Sequence, residues 1–344
     1  MEKLITFCVP CYNSEAYMQK CINSILCGGK QIEIIIVDDG SKDGTAGIAD
    51  EYQKEYPDIV KVIHQPNKGH GGAVNAGIKA AKGLYFKVVD SDDYLEKSAL
   101  AALIEKISMN HAKGKDVDLY ITNYVYDHVY DNTQNVVSYD TVLPANMEVT
   151  FDSLKKFRLS KVLMMHSLLY KIDVLRNCGI KLPEHTFYVD NLYAYIPLPY
   201  VKKIFYLNVD LYFYFIGRED QSVNMKNFVK RYEQQNRVMK IMYNAYSYQE
   251  IMKMNKHLRR YMFHDLSLIN LNTMMFMIAS KDDKKKRKET YKKLQKEFKD
   301  SDAKLYRKLK YRSYFTLISI YPWEIKRYSL IIGYKTVCKL VKLG

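Results

Sequence analysis

The stretch Ile34–Thr45 contains the sequence IIIVDDGSKDGT, in which four apolar residues run directly into two carboxylates and a glycine turn. The apolar residues predict a strand that is buried on both faces, and Ser41 or Asp43 predicts the cap of a following helix. Asp38 and Asp39 lie where that strand ends. Because carboxylate oxygens accept hydrogen bonds from a base N–H or from ribose hydroxyls, the pair is predicted to hold a nucleoside. The alternative interpretation is that one of them only caps the turn.

Strand and helix patterns alternate around this stretch over the first hundred residues. The predicted strands are Leu4–Val9, Ile32–Val37, Val60–His64 and Tyr85–Val89, and the predicted helices are Ser14–Leu26, Asp43–Glu55 and Ala73–Ala81. This βαβ repetition predicts an α/β fold with a mostly parallel sheet. Ligands of such sheets bind beyond the carboxyl ends of the strands, which is where the acidic pair is found.

A second acidic cluster follows the predicted strand Tyr85–Val89. The sequence DSDD places Asp90, Asp92 and Asp93 within four residues. Carboxylates this close repel one another unless a cation neutralises them, and hard oxygen ligands suit Mg²⁺ or Mn²⁺. The cluster therefore predicts a divalent metal site that bridges the diphosphate of a substrate. The alternative interpretation is an exposed acidic turn.

The segment Asn67–Gly77, with the sequence NKGHGGAVNAG, is a glycine-rich loop that runs into a helix. Free N–H groups at a helix start favour anions, and Gly71 and Gly72 would let the backbone approach a phosphate or a sugar. The alternative interpretation is a tight turn that packs the helix on the sheet. The pattern is neither a P-loop nor a dinucleotide fingerprint, so neither an ATPase nor a dehydrogenase is indicated.

Composition gives weaker constraints. The chain has 344 residues, 31 tyrosines and a formal net charge of +15, and the basic excess favours a phosphate-bearing partner. The sequence shows no secretory signal and no apolar run of membrane-spanning length, so a cytoplasmic protein is expected. In that reducing compartment the six cysteines are expected to be free thiols.

The two parts of the chain differ in their patterns. Tyr206–Phe215 is the last predicted strand, and Phe151–Met165 is predicted to be helical. Beyond about residue 222 only helices are predicted: Val223–Met252, Asn255–Met277 and Lys284–Phe298. We predict a nucleotide-binding and catalytic domain over 1–222 and a helical, basic region over 223–344 that makes acceptor, membrane-surface or oligomer contacts.

The end of the chain is basic and aromatic. Lys281–Lys299 is rich in lysine, and the tail from Tyr306 interleaves cationic residues with Tyr, Phe, Ile and Trp323. This composition predicts a peripheral helix on an anionic membrane surface, at the inner face of the cell membrane. The alternatives are a solvated helix and a helix that packs on the core or forms a homodimer.

Several of these strings occur in an order and spacing that resemble glycosyltransferase family 2, whose members invert the transferred sugar and have the GT-A fold. VPCYN (Val9–Asn13) resembles the opening strand and loop of the family, VDDGSKDGT (Val37–Thr45) its nucleotide-binding motif, and VVDSDD (Val88–Asp93) its D-x-D metal motif. FYVDNLYAY (Phe187–Tyr195) resembles its acidic segment near the acceptor, and YFYFIGREDQSV (Tyr212–Val223) its closing strand and loop.

The resemblance implies a role for each matching residue. The base pocket would be lined by Pro10, Tyr12 and Asp39, with Asp38 beside them, while ribose and metal would be held by Asp90 and Asp92. Asp190 would be the general base that takes the proton of the acceptor hydroxyl, and its apolar neighbours would raise its pKa. The donor or acceptor sugar would lie near Gly71, Gly72, Asn75 and His166. The alternatives are a helix-capping role for Asp190 and a structural role for His166.

The chain departs from the family pattern at two positions. Val74 replaces the arginine of the usual A-R-N string, so any role of that arginine is absent or supplied elsewhere, and Val189 replaces the usual glutamate before Asp190. The Q-x-x-R-W string of processive members is not seen, which favours the addition of one sugar per encounter.

The sequence thus predicts an inverting glycosyltransferase that uses a nucleotide-sugar, UDP-linked by expectation, with Mn²⁺ or Mg²⁺. The expected acceptor is a glycan or a lipid-linked saccharide in surface-polysaccharide synthesis. The competing hypotheses are a nucleotidyltransferase, a non-catalytic scaffold, and a basic protein that binds nucleic acid or membrane. Nucleic acid is not expected as a partner, because the N-terminal sheet gathers acids where such a protein would gather cations.

Overall fold

The computed structural model describes residues 2–128, 132–158, 161–217, 231–280, 282–312 and 332. The chain divides into two compact units. The first comprises Met1–Lys155 and Leu163–Gly217, and the second comprises Lys156–Val162 and Arg218–Gly344. The predicted domain boundary after residue 222 lies outside the described residues, as does the part of the YFYFIGREDQSV motif beyond Gly217.

The first unit is an α/β structure whose early elements follow the predicted order. Its strands are β1 (Ile5–Cys11), β2 (Ile32–Asp38), β3 (Val60–His64), β4 (Tyr85–Val88), β5 (Tyr94–Leu95), β6 (Leu119–His128), β7 (Thr133–Val137), β8 (Glu148–Val149), β9 (Leu168–Lys171) and β10 (Ile204–Ile216). Its helices are α1 (Met18–Leu26), α2 (Thr45–Glu55), α3 (Gly69–Ala80), α4 (Lys97–Ala112), α5 (Ile172–Asn177) and α6 (Asp190–Tyr195).

The strands form one mixed sheet in the order β3-β2-β1-β4-β9-β6-β10-β5, with β7 paired to β6 and β8 paired to β10. The pairs of β1 with β2 and β4, of β2 with β3, and of β6 with β10 are parallel. Strand β9 is antiparallel to β4 and β6. All residues of β1 and β2 are buried, as expected for central parallel strands with both faces covered.

The predicted helix over Phe151–Met165 is wrong. Among its described residues the segment contains only the 3₁₀ turn Phe151–Ser153 and the first residue of the 3₁₀ turn Met165–Ser167, and Leu154 already has an extended backbone. Its apolar residues pack in different places: Phe157 belongs to the second unit, where its ring lies 4.8 Å from that of Tyr261.

From Tyr232 to Tyr311 the described part of the second unit is helical, as predicted. Its helices are α7 (Tyr232–Ala245), α8 (Tyr248–Lys253), α9 (Lys256–Ala279), α10 (Lys284–Ser301) and α11 (Ala303–Tyr311). The single helix predicted over Val223–Met252 is interrupted, because Ser247 and Glu250 form a reciprocal capping box that starts α8 as a separate helix. No helix within the described residues has the length and apolar character needed to span a bilayer.

Candidate functional site

The loops that follow β1, β2 and β4 are joined by side-chain hydrogen bonds. The backbone N–H of Asn13 donates to Ser41 Oγ (3.0 Å), and that of Ser14 donates to Thr45 Oγ1 (2.7 Å). The hydroxyl of Ser14 lies 2.9 Å from that of Ser91. Because β1 pairs with both β2 and β4, these bonds gather three strand ends at one edge of the sheet, where a ligand of a parallel sheet is expected.

Asp38, at the end of β2, is buried and fully engaged with the protein. One oxygen accepts a hydrogen bond from the backbone N–H of Ser41 (3.0 Å), and the other lies 2.9 Å from Nδ1 of His64. Burial alone would raise the pKa of Asp38, but the hydrogen bonds from Ser41 and His64 outweigh it and lower that pKa. Asp38 is therefore ionised and shapes the turn after β2.

Asp39 holds the start of α3. Its carboxylate accepts hydrogen bonds from the side chain of Gln65 (2.7 Å) and from the backbone N–H groups of Lys68 (2.9 Å) and Gly69 (2.7 Å). A carboxylate on the free N–H groups of a helix start is stabilised by the helix dipole. Asp39 thus connects the end of β2 to the glycine-rich segment.

Pro10 and Tyr12, both predicted to line a base pocket, differ in exposure. Pro10 is buried inside β1, where it is paired with Val37 of β2. Tyr12 follows the strand, and its side chain is 49% exposed. An exposed aromatic ring at the edge of the sheet is suited to stacking on a planar base, whereas Pro10 is enclosed in the sheet.

Asp90 lies at the centre of the acidic region, between two histidines. Its Oδ1 accepts a hydrogen bond from Nε2 of His70 (2.8 Å), and its Oδ2 lies 3.8 Å from Nε2 of His166. Burial would raise the pKa of Asp90, but the two histidines hold it well below its usual range. Asp90 is therefore a permanent negative charge at the end of β4.

His70 was not predicted as a site residue. Burial opposes its protonation, but the charges of Asp90, Asp190 and Asp92 raise its pKa. A signal was present in the sequence, because His70 is one helical turn before Val74, the position of the missing arginine. Val74 itself is fully buried, whereas His70, one turn earlier in α3, contacts the acidic cluster through Asp90.

Gly71, Gly72 and Asn75 lie within α3, and contacts inside the protein account for each of them. A side chain at Gly71 would place its Cβ only 2.5 Å from the carbonyl oxygen of Pro183, and one at Gly72 would meet the side chain of Lys68. The amide of Asn75 donates to the carbonyl of Leu182 (2.8 Å) and accepts from its N–H (3.0 Å). These residues dock the segment that leads to Asp190, which supports the packing interpretation of the glycines.

Asp190 is the first residue of α6 and belongs electrostatically to the same cluster. Burial raises the pKa of its carboxyl group, the charges of His166 and His70 act in the opposite direction, and the charge of Asp90 raises it further. The preceding Tyr188 has a φ of 66°, a backbone conformation that is uncommon for an aromatic residue. Asp190 and Asp90 thus act on each other from two loops that are 100 positions apart in the chain.

His166 is enclosed by aromatic rings. The ring centroids of Tyr212, Tyr214 and Tyr124 lie 4.8, 4.9 and 5.7 Å from that of His166, and its Nδ1 is buried without a hydrogen-bond partner among the described residues. Its carbonyl accepts a hydrogen bond of 2.5 Å from Nζ of Lys87, a fully buried lysine whose pKa is lowered by burial to about 7. Lys87 therefore fixes the turn that carries His166.

Asp93 is a structural member of the acidic cluster. It is 1% exposed, and its two oxygens accept hydrogen bonds from the hydroxyl of Tyr212 (2.5 Å) and the N–H of Phe215 (2.9 Å). Burial raises the pKa of Asp93, and the charges of Asp92 and Asp90 add to that effect. Tyr212 also accepts a hydrogen bond from the N–H of Asp90 (3.2 Å), so β10 anchors the whole loop after β4.

Replacing Tyr212 by Phe should therefore lower the stability of the fold by about 1–3 kcal/mol, because the buried Asp93 loses one of its two hydrogen bonds and the N–H of Asp90 loses its acceptor. Thermal unfolding followed by circular dichroism would measure the loss. The matched control is Tyr94→Phe, which removes the hydroxyl that donates to the half-buried Asp127 and should cost less. Equal losses in the two variants would contradict the anchoring role of Tyr212.

One group of side chains could hold a metal ion. Asp90, Asp93 and His166 each offer one ligand atom, and the three atoms lie within 4.8 Å of one another; Asp92, predicted as a ligand, is not part of this group. Two carboxylates and an imidazole are a suitable donor set for a divalent cation such as Mn²⁺. Because both oxygens of Asp93 are already bonded, Asp90 and His166 are the better-placed donors, and the half-buried Asp92 is two positions from Asp90 in the chain.

The N-terminal part of the chain is similar in sequence to known proteins. Residues 6–175 match the family model described as glycosyl transferase family 2. Glycosyltransferase GlyG of Streptococcus pneumoniae serotype 4 is 40% identical over 126 residues, which is 36% of this chain and 40% of GlyG. The chain thus covers less than half the length of that relative.

Solved structures share the fold. S. aureus TarS 1–349 in complex with UDP-GlcNAc superposes with a TM-score of 0.66 at 21% identity, over 96% of this chain and 92% of that one. The mannosyltransferase PcManGT from Pyrobaculum calidifontis, in complex with GDP-Man and Mn²⁺, gives a TM-score of 0.54 at 13% identity, over 96% and 87%. The predicted GT-A fold is confirmed, and over residues 6–175 the chain belongs to glycosyltransferase family 2.

Proposed function

We propose that the protein is an inverting glycosyltransferase that moves one sugar from a UDP-sugar to a hydroxyl group of an acceptor. The observation that carries the proposal is the convergence of Asp90, His70, His166 and Asp190 at the edge of the sheet. Such a transfer needs a group that takes the proton of the acceptor hydroxyl, for which the carboxyl group of Asp190 is suited, and a site for a cation that stabilises the leaving diphosphate, for which Asp90 and His166 are suited.

In the proposed reaction the carboxylate of Asp190 takes the proton of the acceptor hydroxyl. The hydroxyl oxygen forms a bond to the anomeric carbon from the face opposite the diphosphate, the bond from that carbon to the diphosphate oxygen breaks, and UDP leaves with the bonding electrons. Inversion follows because the new bond forms on the opposite face. Tyr12 would stack on the base, and Asp38 and Asp39 would hold the loops around it.

A divalent ion, Mn²⁺ or Mg²⁺, would be held by Asp90 together with His166 and Asp92. When bound, it would neutralise the charge that develops on the departing diphosphate. The Mn²⁺ bound by PcManGT supports this assignment.

The UDP-GlcNAc bound by TarS supports a UDP-sugar as donor, and the name of GlyG supports sugar transfer. We propose that the acceptor is a glycan or a lipid-linked saccharide of a surface polysaccharide, and that transfer takes place in the cytoplasm. The acceptor would bind next to the segment before Asp190, which packs on α3.

The proposal can be tested by thermal shift with nucleotide-sugars, with and without Mn²⁺. A ligand at about 100 times its Kd stabilises the folded state by about 2.7 kcal/mol, so one UDP-sugar with Mn²⁺ should raise the Tm by several degrees. The stabilising donor should then release UDP in the presence of an acceptor. Release of pyrophosphate from a nucleoside triphosphate would instead identify a nucleotidyltransferase.

Replacing His70 by Ala should lower kcat/KM for the donor by about 10- to 100-fold, because Asp90 loses its hydrogen bond and its neighbouring cation. His70→Gln, which can restore a hydrogen bond but no charge, should recover part of the loss. Steady-state assays at varied donor and Mn²⁺ concentrations would measure both variants. Unchanged kinetics in the alanine variant would show that the cation is not needed.

A further inference from the structure

The net positive charge of the chain is concentrated in its second part. Residues 218–344 carry 30 Lys and Arg against 12 Asp and Glu, whereas residues 1–217 carry 23 against 26. The part that contains the nucleotide site is therefore slightly acidic, and the helical part accounts for the whole basic excess. Charge confined to one part of a protein indicates a partner of opposite charge for that part.

Helix α10 arranges part of this charge on one face. Lys285, Lys288, Lys292, Lys296 and Lys299 are spaced by three or four residues, which at 3.6 residues per turn places them within an arc of about 80°. We call these five residues the lysine stripe. It extends over about 21 Å along the helix. All its members are exposed except Lys288, which is half-buried.

The opposite side of α10 is packed against its own unit. Arg287, Leu294 and Phe298 are buried on that side, and the ring of Phe298 stacks on Tyr243 of α7 at 4.3 Å, while the buried Gln295 lies next to the edge of the stripe at the half-buried Lys288. This packing fixes which side of α10 faces the unit, and the lysine stripe lies on a face separate from the buried one.

The acidic residues of the second unit leave the stripe unpaired. Among the described residues, no carboxylate lies within ion-pair distance of a stripe lysine, while Glu297 pairs with Lys240 and Asp282 with Lys286. Residues 313–344 add five cations and one acid, so they cannot neutralise the stripe. Glu289 and Asp300 lie one turn from stripe lysines on the same helix, but no ion pair joins them to the stripe among the described residues. The five like charges therefore repel one another, and a multivalent anionic partner would relieve that repulsion.

We infer that the lysine stripe of α10 docks on an anionic lipid bilayer. A straight row of lysines about four turns long fits a plane of anionic headgroups, because every member can reach the plane when the helix lies parallel to it. A second copy of the chain is disfavoured as the occupant, since it would bring the same charges together. The aromatic and apolar residues of the basic tail, among them Trp323, have the composition of segments that enter the headgroup region.

The experiment uses the full chain and needs neither donor nor acceptor, so its result is independent of the proposed function. Flotation is measured with vesicles of phosphatidylcholine alone and of phosphatidylcholine with phosphatidylglycerol. The wild type should float only with the anionic vesicles, and less as salt increases. Replacing all five stripe lysines by Gln should weaken binding by at least about 100-fold, since each lysine near an anionic surface contributes about fivefold.

The matched control replaces five exposed lysines of the first unit by Gln: Lys54, Lys79, Lys82, Lys113 and Lys115. This variant changes the net charge by the same amount as the stripe variant. Its vesicle affinity should stay within about threefold of the wild type, because lysines far from the membrane surface do not contribute the roughly 1 kcal/mol each that lysines near the surface do. A third variant with Arg at the five stripe positions keeps the charge and should bind like the wild type, which separates charge from folding.

The inference is overturned if the wild type floats equally with both kinds of vesicle or with neither. It is also overturned if the stripe and control variants lose binding equally, or if the arginine variant fails to bind while remaining folded. Retention on immobilised polyphosphate without flotation would assign the stripe to a soluble polyanion instead.

Discussion

Replacing Asp190 by Asn is expected to lower kcat by about 1000-fold and to leave the KM for the donor within about twofold. The amide keeps the size of the side chain and the start of α6 but cannot take a proton from the acceptor hydroxyl. The donor would lie on the other strand ends, with Tyr12 and Asp90, so its binding should not depend on this proton. Initial rates of UDP release at varied donor and acceptor concentrations would separate the two constants.

The control for this prediction is Asp173→Asn. Asp173 and Asp190 both lie in the first turn of a six-residue helix, α5 and α6 respectively, but Asp173 is exposed to solvent. If Asp190 only stabilises the start of its helix, both variants should lose a few tenths of a kcal/mol in stability and neither should lose activity. A D190N enzyme with wild-type turnover would therefore rule out the general base.

The pH profile gives a further criterion for Asp190. Burial raises the pKa of its carboxyl group, so the deprotonated, active form is lost at a higher pH than for an ordinary aspartate. Activity of the wild type should fall as the pH decreases through that raised pKa, and should be restored as the pH increases. The residual activity of D190N should lack this acidic limb.

The central fold could be predicted from the sequence because its signals are local. Continuous apolar runs gave β2 and β4 nearly to the residue, and an acidic pair after a buried strand located the edge where ligands bind. The segment around Phe157 could not be predicted, since its partner, Tyr261, is about a hundred positions away. Periodicity alone does not show which unit an apolar residue packs against.

The candidate site could likewise be predicted only in part. Asp38, Asp39 and Asp90 could be predicted because each directly follows a predicted strand. The contact of His70 with Asp90 could not, because it depends on α3 starting at Gly69, four residues before its predicted start. The hydrogen bonds of Asn75 to Leu182 are likewise invisible locally, because the two residues are 107 positions apart. Acidic residues placed by strands can therefore be found by pattern, whereas the residues that orient them depend on long-range docking.

Replacing Asp90 by Asn is expected to weaken Mn²⁺ binding in the presence of UDP by at least about 100-fold and to lower kcat/KM by a similar factor. The histidines on either side hold the pKa of Asp90 low, so this carboxylate is charged throughout the working pH range. Asparagine keeps the shape and can still accept a hydrogen bond from His70, but it has no charge to offer a cation. Thermal shift with UDP over a series of Mn²⁺ concentrations would give the apparent metal affinity.

The control is Asp58→Asn, which removes an exposed carboxylate of the same unit and should leave the Mn²⁺ dependence unchanged. The pair of variants also distinguishes Asp90 from its neighbour Asp93. If Asp93 were the main ligand, D90N would keep most of its metal affinity, because the carboxylate of Asp93 is unchanged in that variant. A Mn²⁺-dependent shift of wild-type size in D90N would therefore contradict the proposed position of the metal. Binding of UDP to D90N without metal would show that the nucleotide site is intact.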